Sequence, residues 1–71
     1  MTKYFMESIG NNIKKIRKQL GLTQEELAMH VGVTPQAVSR WENGTGMPDI
    51  SLVVPLAKTL RVSTDSLFGI N

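Results

Sequence analysis

The sequence predicts an all-α fold: one compact domain of five short helices within 71 residues. Three observations carry this. Apolar residues recur every three to four positions along most of the chain, and no stretch alternates as a half-buried strand does. Capping residues and glycines punctuate these periodic segments at helical lengths. The segment 23–44, TQEELAMHVGVTPQAVSRWENG, reads as two short helices joined by a tight turn.

Helix one is expected over 7–19. Ile9, Ile13, Ile16 and Leu20 form its buried stripe, and Gly21 ends it. Tyr4, Phe5 and Met6 either extend this helix or pack beneath it. Helix two, 24–31, starts at a capping box in which Thr23 and Glu26 satisfy each other's backbone N–H groups. Leu27, Ala28 and Val31 lie at helical spacing, and Gly32 can take the left-handed conformation that stops the helix. Helix three, 35–43, is capped by Thr34, with Pro35 at its first position, where a missing N–H costs nothing. Val38 and Trp41 define its inner side. NGTGMPD is a turn-rich loop. Helix four is expected between 50 and 60, with Leu52, Val53, Leu56, Ala57 and Leu60 in the core. Pro55 demands a short 3₁₀-like turn first, so that it falls in the first turn of the regular helix. Ser63 caps a last helix over 64–68 holding Leu67 and Phe68, and Gly69 stops it.

A chain this short buries only about 60% of its unfolded surface. It has no cysteine, so no disulfide or cysteine metal site assists the core, which fits a reducing cytoplasm. No apolar run is long enough for a signal peptide or a membrane span. Net charge is +2, but Lys3, Lys14, Lys15, Arg17 and Lys18 face only Glu7 in the first eighteen residues. That end is basic enough to lie near phosphates.

The outer side of helix three carries Gln36, Ser39, Arg40 and Asn43 at i, i+3, i+4 and i+7, within about 100°. Arginine can pair with guanine O6 and N7, and glutamine with adenine N6 and N7. Ser39 is short and adaptable. Ala37 either touches a thymine methyl or faces helix two. Base-edge contacts are therefore expected of Gln36, Ala37, Ser39 and Arg40. His30 reads as a surface histidine. Asp49 and Asp65 read as helix-start residues. No nucleophile, base and oxyanion set is visible, nor a phosphate loop, a metal site, a cofactor site or a small-molecule site.

The segment resembles the helix-turn-helix of the phage repressor and Cro family of DNA-binding domains, the xenobiotic-response-element type. Counting from Gln24, that family has a small residue at the fifth place, a turn glycine at the ninth and a branched apolar residue at the fifteenth. Ala28, Gly32 and Val38 fill them. IKKIRKQLGLTQ upstream, and WENG, MPDI and LAKTLRVSTDSLFG downstream, extend the resemblance to about residues 9–69. It implies a five-helix lambda-repressor-like domain with the helix-turn-helix as helices two and three. It also implies sequence-specific double-stranded DNA binding by a bacterial or phage transcriptional regulator, with helix three in the major groove. Gln24 is implied to contact the backbone and to buttress the recognition helix. Thr34 and Asn43 are expected at phosphates, as are Lys14, Arg17 and Lys18 from the basic end. The match of Arg17 and Glu42 implies an ion pair between helix one and the end of helix three.

Family members usually bind a pseudo-palindrome as homodimers, with half-sites about one turn apart. Val54, Val62, Leu67, Phe68 and Ile70 are the candidate dimer residues. The abrupt end at Gly69-Ile70-Asn71 leaves two expectations open, a domain cut from a longer regulator or a complete small repressor. The rival function is an antitoxin-like or adaptor module that grips a protein with the same fold. Gln36, Ser39 and Arg40 count against it, because acidic or apolar residues would suit that face better.

Overall fold

The structure, a computed structural model, describes residues 2–69, and the side chains of residues 8–69. Helix α1 runs Thr2–Gln19, α2 Gln24–Val31 and α3 Pro35–Asn43. A 3₁₀ turn, Ile50–Leu52, leads into α4, Val53–Leu60, and α5 closes the series at Thr64–Leu67. No strand occurs among the described residues. α3 lies at the centre, packed against α1 on one side and α2 on the other, while α4 and α5 close the core from below.

Each helix supplies one stripe to that core. Ile9 and Ile13 come from α1, Leu27 and Ala28 from α2, Val38 and Trp41 from α3, Leu56 and Leu60 from α4, and Leu67 from α5. Trp41 is 5% exposed, so this lone tryptophan is a packing residue. Ala28 is 1% exposed, and its short side chain lets α2 approach its neighbours closely. The 3₁₀ turn places Pro55 third in α4, where the N–H that proline lacks would have no intrahelical partner. Asp49 caps that turn through Oδ2, which accepts from the Ser51 N–H at 3.0 Å.

Three expectations need correction. α1 starts at Thr2, five residues before the expected start at 7, which is the extension through Tyr4, Phe5 and Met6 that the sequence left open. No glycine or proline interrupts 2–9, so nothing in the local sequence stops the helix short of Thr2. Where the side chains of Tyr4, Phe5 and Met6 pack lies outside the described residues. Leu20 is not core but 40% exposed. α1 ends one residue earlier, and Gly21 at φ 72° turns the chain away before the stripe completes another repeat. Leu67, offered as a dimer residue, is 1% exposed and belongs to the interior. Ile70, from the same set, lies outside the described residues.

Gly10 was not singled out by periodicity, yet it fixes how α1 meets α3. A Cβ there would collide with the Trp41 carbonyl oxygen and lie 3.2 Å from the Glu42 Cα. The two backbones touch at this position, so only glycine fits. The available signal was a lone glycine inside a helical stripe, which often marks a close approach.

Candidate nucleic-acid interface

The interface begins with the turn that aims α3. Gly32 adopts φ 82°, and its N–H and that of Val33 donate to the Ala28 carbonyl at 2.8 and 2.9 Å. Thr34 then caps α3, its Oγ1 accepting from the Ala37 N–H at 3.2 Å. Gly44, at φ 77°, closes the far end. α3 is thereby held to nine residues with a fixed rotation.

That rotation buries Val38, Trp41 and Glu42 and leaves Gln36, Arg40 and Asn43 exposed, with Ser39 half-buried among them. The Asn43 amide donates to the Ser39 Oγ at 3.5 Å. The Arg40 carbonyl accepts from the Thr45 N–H at 3.0 Å, which ties the loop to the helix end and leaves the guanidinium in solvent. Ala37 behaves differently from its neighbours. It is half-buried and packs against the core cluster, so of the four base-edge candidates it is the one turned inward.

Beneath α3 lies a polar anchor. Glu42 accepts from Arg17 Nε at 2.6 Å, from Arg17 Nη2 at 3.0 Å and from Gln24 Nε2 at 3.1 Å. Arg17 Nη1 donates to the Leu22 carbonyl at 2.7 Å. One carboxylate thus ties the end of α3 to α1 and to the first residue of α2. The side chains of Arg17 and Glu42 are 9% and 2% exposed. The hydrogen bond to Glu42, helped by its charge and opposed by burial, holds the Arg17 guanidinium above its ordinary value. The expected ion pair is present. The phosphate contact also expected of Arg17 does not fit this geometry, because the group is buried and its charge is matched by Glu42.

Gln24 shows the buttressing arrangement through its amide. Glu25 and Glu26 stand in the first turn of α2, beside the helix end where a phosphate was expected. The Glu26 carboxylate is held below its ordinary value by the Thr23 N–H, which donates to it at 2.8 Å, and by the Thr23 side chain. Both halves of the capping box are formed. Asp49 is likewise held low, by the Ser51 hydroxyl and then the Ser51 N–H. Lys14, Lys15 and Lys18 are exposed on α1. Lys14 lies one helical turn past Gly10, on the side where α1 crosses the end of α3. His30 is exposed. No group of histidine, cysteine and carboxylate residues among the described residues is placed to hold a metal ion. No described helix is long and apolar enough to cross a membrane.

This geometry is that of a helix-turn-helix DNA-binding domain, with α2 and α3 as the motif. The family model described as helix-turn-helix matches residues 13–67, and the chain belongs to that family, the xenobiotic-response-element type of transcription regulator. The antitoxin PezA of Streptococcus pneumoniae is 39% identical over 61 residues, which make up 86% of this chain and 39% of PezA. The prophage-derived helix-turn-helix regulator YonR of Bacillus subtilis is 36% identical over 58 residues, covering 82% of this chain and 54% of YonR. The chain spans about two fifths to one half of these relatives' length. Among solved structures, the P22 c2 repressor in complex with a synthetic operator superposes with a TM-score of 0.79 at 36% identity, covering 83% of this chain and 89% of the repressor. The chain is accordingly a DNA-binding domain of the transcription-regulator class.

Proposed function

We propose that the chain represses transcription by reading one half-site of an operator with α3 in the major groove. The observation that carries this is the row of exposed Gln36 and Arg40 with half-buried Ser39 between them, on a helix whose other side is locked by Val38, Trp41 and Glu42. A rigid helix with short and planar hydrogen-bonding side chains on its free face is suited to base edges. Gln36, Ser39 and Arg40 take the base-edge roles. Gln24, Thr34, Asn43, Lys14 and Lys18 hold phosphates, with Lys15 adding to the local field.

Two copies bind a pseudo-palindrome with half-sites about one turn apart. Val54, 52% exposed, together with the half-buried Val62 and Phe68 supplies the dimer contact. The domain acts in the cytoplasm, at the nucleoid. Footprinting on genomic fragments at stated salt tests the reading. Protection of paired half-sites supports it, and absence of any protected sequence overturns it.

The similarity to PezA favours a second reading, an antitoxin-like module that grips a protein. In that case substitutions at Gln36 and Arg40 weaken a protein complex and leave DNA affinity as it was.

A further inference from the structure

Away from α3, the connection between α1 and α2, the last turn of α2 and the end of α4 enclose an open cavity of about 340 Å³. Its lining is Leu20, Leu22, His30, Thr59 and Arg61. Small-molecule sites begin at about this size. The walls divide by chemistry: Leu20 and Leu22 are apolar, while His30, Thr59 and Arg61 offer donors. No carboxylate lines it.

Two features mark its wall. Leu20, which the turn at Gly21 takes out of the α1 stripe, presents an apolar side chain there that is 40% exposed. Arg61 holds φ 60°, and it is the one described non-glycine residue with positive φ. The other left-handed positions that follow helices here, at 21, 32, 44 and 69, are glycines. Backbone strain of this kind collects at functional positions. Basic side chains at helix C-termini are favoured on their own account, which explains why the residues at 30 and 61 are basic. It does not explain why the left-handed position after α4 is an arginine on the cavity wall, where the other such positions are glycines.

We propose that this cavity binds a small organic anion with an apolar body, its carboxylate taken by Arg61 with His30 and Thr59, and its body lying on Leu20 and Leu22. The site is separate from the DNA-reading face. It touches the anchor of α3 at one point, since the Leu22 carbonyl that accepts from Arg17 Nη1 belongs to a wall residue.

Benzoate is the probe. In a ¹⁵N-resolved NMR titration, saturable shifts should appear at the amides of Leu20, Leu22, His30, Thr59 and Arg61. Benzyl alcohol, the uncharged counterpart, should give none that saturate. Arg61→Gly removes the guanidinium and relieves the strain, so the variant should fold with an equal or higher Tm and bind benzoate at least tenfold more weakly. Arg61→Lys should retain part of the affinity. Benzoate shifts that never saturate, or that persist unchanged in a folded Arg61→Gly, would overturn the proposal. So would inorganic phosphate binding as tightly as benzoate, because the apolar wall would then contribute nothing. None of these readouts depends on DNA.

Discussion

Glu42→Gln isolates the anchor beneath α3. The substitution preserves shape and one acceptor but removes the charge that Arg17 and Gln24 both address, at 2.6 to 3.1 Å. Arg17 would then carry an unmatched charge at 8% exposure, satisfied only in part by the Leu22 carbonyl. Breaking a buried pair from one side costs about 3–5 kcal/mol. The retained amide places this case at the low end, about 3 kcal/mol. A domain of this length has roughly 4–11 kcal/mol in total, so the loss is a large share of it. In thermal denaturation the Tm should fall by about 12–24 °C, at 4–8 °C per kcal/mol for small domains. The paired substitution Arg17→Met with Glu42→Leu should recover most of this, since apolar replacements of a buried pair are often close to neutral. A loss below about 1 kcal/mol, the level of an exposed pair, would refute the reasoning.

Gly10→Ala should destabilise by about 1–2 kcal/mol: the gain in helix propensity, roughly 1 kcal/mol, is outweighed by overpacking against the Trp41 backbone. Gly46→Ala is its control and should stay within about 0.5 kcal/mol in urea denaturation, because the new Cβ meets only the Arg40 Cβ at 3.7 Å. The acid limb of stability should depend on Glu26. Its carboxylate is depressed in the folded state, so its contribution is present above the unfolded value, about pH 4.3, and is lost as pH falls through the lower folded value. Glu26→Gln keeps the capping geometry and should flatten the Tm decline between neutral and acidic pH; an unchanged decline would count against the capping box as its source.

Most of the helix order was legible because local chemistry and packing agree there. Thr23 with Glu26, Thr34 before Pro35, and Ser63 each mark a helix start by a cap that the structure forms. Pro55 implied the preceding 3₁₀ turn by what it cannot do inside a helix. The Arg17–Glu42 pair followed from the resemblance and not from spacing alone, since 25 positions separate the two residues. What stayed hidden was tertiary in origin. The start of α1 at Thr2 leaves no breaker to read. The exposure of Leu20 depends on where Gly21 turns the chain, and the inward set of Ala37 depends on the rotation of α3. The contact at Gly10 belongs to two backbones at once, and periodicity follows one chain segment at a time.

The proposed function stands or falls with the free face of α3 reading bases. Binding of the wild type and of Arg40→Ala to a randomised duplex library, repeated between about 50 and 200 mM salt, tests it most directly. The wild type should select related half-sites, with affinity falling at a log–log slope of about −0.9 for each phosphate neutralised. Arg40→Ala should lose about 1–3 kcal/mol of specific binding and relax preference at one base position, with its Tm unchanged. A uniform loss with a salt slope about one unit shallower would move Arg40 to a phosphate. No selection by the wild type, or a variant with the same affinity and the same preference, would contradict α3 as the reader.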